Sequence, residues 1–113
     1  MQAIAEAPGM MALFNAHEHG NTWCYKWDTL LEGMTVEGKG VNLCFGQHTG
    51  YAGNGDWIRG ARQVLLTQSK LKDGELDTWI RLEDERIVGA VSLNATYNTD
   101  RYPATPNDKT YIN

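Results

Sequence analysis

The sequence predicts an α+β fold that is mostly β, and three features predict it. One long stretch alternates as a hairpin, several shorter runs have strand length and apolar character, and very little of the chain can form a helix. The hairpin runs from Leu76 to Glu83 and from Arg86 to Leu93, turning at Asp84-Glu85. Leu76, Thr78, Ile80 and Leu82 share one face of its first arm, and Ile87, Gly89, Val91 and Leu93 share one face of the second. Its two-residue turn lacks the glycine such turns favour. With the shorter runs, the expectation is one largely antiparallel sheet of about five strands in a single domain, residues 1–113. A sheet with so little helix has to bury one face on something. A second copy of the chain is the expected cover, giving a homodimer.

From the N-terminus, Gln2 to Ala7 can make a turn and a half of helix before Pro8-Gly9 stops it. An isolated helix needs roughly 12–15 residues, so this one must dock on another element. Met10 to Ala16 is continuously apolar and reads as a buried strand. Asn21 to Asp28 is dense in aromatic rings and is expected to be irregular or a short helix. Leu30 to Gly40 carries Gly33, Gly38 and Gly40 and reads as loop or weak helix. Val41 to Phe45 alternates and reads as a strand. Gly46 to Gly60 is a long glycine-rich loop, of a length that is usually functional, a flexible surface excursion being the alternative. It is no P-loop, because no Gly-Lys-Ser/Thr follows. Ala61 to Thr67 is a further strand with Val64 and Leu66 on one face. Gln68 to Gly74 is a polar connector, and Tyr97 to Asn113, with Pro103 and Pro106, is expected to lie extended on a neighbouring element.

Composition excludes several functions. The 113 residues carry a formal net charge of −4 and no Lys/Arg run, so nucleic acid is not an expected partner. The longest apolar run, Gly9 to Phe14, is far below the roughly 20 residues of a membrane-spanning helix. Met1 to Pro8 has neither the basic nor the apolar region of a secretion signal, so a cytoplasmic location is expected. Cys24 and Cys44 are the only cysteines. In that compartment they are expected to be reduced, buried and inert, and the Asn94-Ala95-Thr96 sequon unmodified.

The chemistry gathers at Leu13 to Gly20, where an apolar run ends in His17-Glu18-His19. If a strand continues through it, the two imidazoles leave the backbone on the same side. They can then close on one metal or two neighbouring metals, or carry protons near neutral pH. The bland alternative is a pair of solvent histidines at a turn. His48, the remaining histidine, lies in the glycine-rich loop. Trp23, Tyr25, Trp27, Tyr51 and Trp57, with Asp56, are the candidates to enclose a flat substrate beside the histidines. Core packing competes for these rings, above all for Trp23 and Trp79.

Two stretches, His17 to Trp27 and Asn42 to Tyr51, are similar to the C-terminal part of fungal calcineurin-like metallophosphoesterases, relatives of the purple acid phosphatases. Gly55 to Arg62 and Thr78 to Asp84 continue the likeness, which runs from about Pro8 to Pro106. The resemblance implies that the sheet corresponds to the C-terminal half of that family's sandwich. It also implies that His17 and His19 stand where a Gly-His-x-His motif supplies a two-metal centre, whose metals polarise phosphate and generate a hydroxide nucleophile. The loop around His48 would then shape substrate access. Two departures matter. Ala16 replaces the motif's glycine, and the family's Asp-x-His, Gly-Asp and Gly-Asn-His ligand motifs belong to an N-terminal half that the resemblance does not place in this chain. Met1 falls just before the family's last helix-to-strand unit, so a truncated stand-alone form is expected.

These readings converge on a small repurposed enzyme of metallophosphoesterase ancestry. His17, His19 and His48 would act as acid and base on a small organic molecule in fungal secondary metabolism. Cyclisation, isomerisation, dehydration or hydrolysis would suit them. The cofactor stays open: one divalent transition metal (Zn, Mn or Fe) on His17 and His19, or none. Two alternatives stay open as well, a non-catalytic binding or regulatory remnant and a phosphoesterase whose site a second chain completes.

Overall fold

Among the described residues six strands build two sheets where the sequence predicts one sheet of five. The structure, a computed structural model, describes residues 2–52 and 55–104. Its elements are α1 (Gln2–Glu6), β1 (Ala12–Asn15), β2 (Cys24–Trp27), β3 (Val41–Phe45), β4 (Gly60–Leu65), α2 (Gln68–Leu71), β5 (Leu76–Leu82) and β6 (Ile87–Leu93). The first sheet has the order β1-β3-β2 and the second β4-β5-β6. The mostly β class holds. All pairings are antiparallel except β1 with β3, which run parallel with Leu13 beside Leu43 and Asn15 beside Phe45.

The additional strand is β2, in the segment expected to be irregular or helical. Aromatic residues favour a pleated, half-buried surface, and here they outweigh the helical reading. Its pairing with β3 sets Cys24 opposite Cys44 and Trp27 opposite Val41. The two cysteines, 4.1 Å apart at Cα, form a disulfide, which corrects the expectation of two reduced thiols. The cause is the register: once β2 is a strand, the two side chains face each other directly.

Each face of the first sheet has its own cover. On one, Trp27 and Val41 pack with Ala5 of α1, joined by Ile4, Met34, Val36 and Leu43. This is the docking that so short a helix requires. On the other, Cys44 packs with Leu76 and Leu93 of the second sheet, among Met11, Ala12, Cys24, Val91 and Tyr97. Ile58, Ile80 and Leu82, with Val88 against them, form a separate cluster between the second sheet and the loop before β4. The cover that the sequence assigns to a second copy thus comes in part from within the chain.

Alternation along β5 follows the prediction, with Leu76, Thr78, Ile80 and Leu82 all buried. Along β6 it fails midway. Thr78 pairs with Val91 but Ile80 pairs with Val88, so one extra residue is accommodated between them. Gly89 takes φ 60° in this bulge, a conformation glycine adopts without steric cost. Beyond the bulge Val88 turns to the core, and Ile87 is left 56% exposed.

The polar connector contains α2, whose Lys70 ammonium donates to the Asp77 carboxylate at 2.6 Å. Ser92 Oγ donates to the same carboxylate at 2.7 Å. Lys70 first, then Ser92, hold the Asp77 carboxyl below its ordinary value of 3.8. A carboxyl lowered in the folded state stabilises above its unfolded value, and that contribution is lost as pH falls through the folded one. Asp77→Asn is therefore expected to flatten the fall of Tm below about pH 4 relative to wild type. Parallel Tm curves would show that the pair contributes nothing.

The described part of the predicted tail lies on a neighbour, but it starts as a turn over residues 95–99 and not as extended chain. The Tyr97 hydroxyl donates to Cys24 O at 3.0 Å, and the Ser92 N–H donates to the Tyr102 hydroxyl at 3.3 Å. Its remainder, 105–113, is outside the described residues.

Candidate functional site

Because β1 and β3 are parallel neighbours, the loops that follow them leave the sheet at the same end. That is where open sheets commonly place their ligands. His17 and His19 belong to the loop after β1, and His48 to the loop after β3. Gly46 N–H donates to Asn15 O at 3.0 Å and Gln47 N–H to Asn21 O at 3.2 Å, lacing the loops together. Gln47 Nε2 donates to Ile58 O at 3.0 Å, and Gly60 N–H to His48 O at 3.1 Å. The His19 and His48 rings meet edge to face with centroids 4.4 Å apart. His17 and His19 are more loosely related, at 6.3 Å.

The histidines come together by a different route from strand alternation. β1 ends at Asn15, and His17 takes φ 82°, unusual for a residue with a side chain. The grouping comes from the turn and from the parallel neighbour. His17 and His19 are exposed, whereas His48 is 8% exposed and its Nδ1 has no hydrogen-bond partner among the described residues. A buried polar atom without a partner is uncommon and marks a position of functional interest.

No three His, Cys, Asp or Glu side chains among the described residues converge as a metal-binding group. The donors among the described residues therefore do not fit the two-metal centre implied by the resemblance.

The candidate aromatic enclosure separates into different regions. Trp57 does reach the histidine loop, with its indole over Gly20. Trp27 is 1% exposed in the α1 cluster and belongs to the core. Trp23 is 51% exposed and stands edge-on to Phe45 at 4.6 Å. Tyr25 borders a groove with Tyr97, Asn98 and Asp100. The Tyr51 hydroxyl donates to the Glu83 carboxylate, beside Arg59 and Arg81 in a groove of about 300 Å³. That hydrogen bond raises the Tyr51 phenol above its ordinary 10.0. Asp56 is exposed in the same loop.

Three residues missing from the predicted site organise it. Arg59, buried in the loop, donates to Trp57 O at 3.2 Å and to Gly55 O at 3.1 Å, which holds Trp57 in place. Gln47 ties the two loops as described. Gly20 takes φ 80°, and a Cβ there would come within 2.5 Å of the Trp57 indole. A glycine directly after the second histidine was the visible signal for this last contact. Gly20→Ala is expected to destabilise by about 1–3 kcal/mol, since strain and overpacking coincide. Thermal unfolding and the amide NMR shifts of His19 and His48 measure it; an unchanged Tm with unchanged shifts would contradict the packing.

No family model matches the chain, and no solved structure matches it. It is 32% identical over 84 residues to a plant protein named "Probable inactive purple acid phosphatase 29", from Arabidopsis thaliana. The match covers 67% of this chain and 19% of that protein, so the chain spans about a fifth of its relative's length. The chain is thus distantly related to the metallophosphoesterases of the purple acid phosphatase type.

Proposed function

We propose that the histidine cluster transfers protons on a small organic molecule, in place of two-metal phosphoester hydrolysis. The observation that carries this reading is the edge-to-face pair of exposed His19 and buried His48, with His48 Nδ1 unbonded among the described residues. His19 is the ring that meets substrate. His48 backs it, fixed through its own carbonyl to Gly60 and through the loop lacing around Gln47. Proton transfer needs one imidazole at hydrogen-bond reach of the reacting atom and none of the absent carboxylate ligands. Trp57, over Gly20, is the flat apolar surface nearest this loop along the contacts described.

A second reading, a binding or regulatory module without turnover, is favoured by the relative's printed name, which calls that protein inactive. One experiment separates the readings. A panel of small lactones, hydroxy-ketones and p-nitrophenyl phosphate is offered to the wild-type chain, to His19→Gln, and to wild type after chelation. The expected result is turnover of a lactone or ketone that survives chelation and falls about 10²-fold or more in His19→Gln. Phosphate-ester turnover lost on chelation and restored by Zn, Mn or Fe would replace this reading with a completed metal site. No turnover of any compound would leave the regulatory reading in its place.

A further inference from the structure

A second site lies between the two sheets, and none of its walls belongs to the histidine cluster. It is a cavity of about 140 Å³ lined by Trp23 and Cys24 from the first sheet's side, Arg62 and Val91 from the second, and the rings of Tyr97 and Tyr102. A cavity of about 150 Å³ holds one benzene ring, so the space suits a single small aromatic body.

Its charge comes from Arg62, which lies on β4 at a position facing the other sheet. The guanidinium donates from Nε to Phe45 O at 2.8 Å, from Nη1 to Thr78 Oγ1 at 3.0 Å and from Nη2 to Thr22 O at 2.6 Å. A guanidinium has five N–H groups, so one on each terminal nitrogen is unused by these bonds. Every acceptor is neutral. Lys70 pairs with Asp77 and Arg86 with Asp84, whereas no carboxylate among the described residues pairs with Arg62. Asp28 and Asp100 border the adjoining groove rather than this cavity. Burial pushes the guanidinium below its ordinary value, as expected of a cation held without a counter-charge.

We infer that this cavity binds a small aromatic carboxylate, its carboxylate on the free N–H groups of Arg62 and its ring between Trp23 and Tyr97. Arg suits this task because its planar fork matches a carboxylate, while the aromatic walls exclude water from the bond. A purely inorganic oxyanion would leave the aromatic walls unused, and a neutral ring would leave the cation uncompensated.

The test is a titration of the full chain with benzoate, followed by amide NMR, with benzyl alcohol and inorganic phosphate as parallel arms. Saturable shifts are expected at Thr22, Cys24, Gly89 and Val91, with His17, His19 and His48 unmoved. Benzyl alcohol is expected to bind about tenfold or more weakly, since it lacks the charge-assisted bonds. Trp23→Ala, at a ring 51% exposed, is expected to weaken benzoate several-fold while the chain stays folded by circular dichroism. Equal affinity for benzyl alcohol, phosphate as tight as benzoate, shifts centred on His19 and His48, or no saturable shift would each overturn the assignment.

Discussion

Arg62→Leu is expected to lower the stability of the chain by about 3–5 kcal/mol, the largest effect of any single substitution described for it. Two opposite contributions decide the sign. Removing a half-buried cation abolishes its desolvation penalty, which favours the variant. The same change strands Phe45 O at the end of β3 and Thr22 O before β2 opposite an apolar side chain, and withdraws a donor from fully buried Thr78. Each unsatisfied buried acceptor costs about 1–3 kcal/mol, so the losses exceed the gain. The arginine is also the polar link between β4 and both the last residue of β3 and the segment before β2. Arg81→Leu serves as the control, an exposed arginine on the next strand, where the change should stay within about 0.5 kcal/mol. Urea unfolding of the three proteins reads the comparison. Similar midpoints for Arg62→Leu and wild type would mean that the apolar contacts alone hold the sheets together.

Arg62 also marks where sequence reading falls short. The strand over Ala61 to Thr67 is legible, yet attention to Val64 and Leu66 passes over the arginine on the same face as Val64 and opposite Ile80. A charged residue at an inward position of an apolar strand is itself a signal. The β5 arm is fully legible because its alternation is strict and its partners are close in sequence. The β6 arm is legible from Val91 onward, but on the turn side of the bulge one extra residue puts Val88 inward and Ile87 outward, against the alternation. The split into two sheets rests on pairing β1 with β3 across about thirty residues, and no local pattern carries a pairing of that range.

At the site, residue types were legible and directions were not. His17, His19 and His48 do gather, but through a turn and a parallel neighbour instead of strand alternation. Trp27 shows the same limit. Its ring suits a substrate pocket as well as a core, and only the identity of β2 as a strand places it against Ala5 and Val41. The unnoticed strand also conceals the disulfide, for the cysteines become partners only when β2 lies in register with β3.

Reducing that disulfide is expected to cost about 3 kcal/mol, as the closing of a loop of about twenty residues gives in the chain-entropy account. The bond closes the segment from Cys24 to Cys44, so its loss frees the unfolded chain more than it disturbs the folded sheet. Wild type with and without dithiothreitol, and Cys24→Ala without it, should separate the contributions in urea. Reduced wild type and Cys24→Ala are expected to lose similar amounts, because Cys24 is only half-buried. Cys44→Ala should lose about 1 kcal/mol more, since Cys44 is fully buried against Leu76 and Leu93 and its sulfur fills part of that core. An identical midpoint before and after reduction would show that the sheet holds its register without the bond. If the loss is found, the chain is markedly more stable in an oxidising compartment than in a reducing one. The β2–β3 pairing, with Cys24 also in the wall of the Arg62 cavity, would then tie the proposed carboxylate site to the same bond.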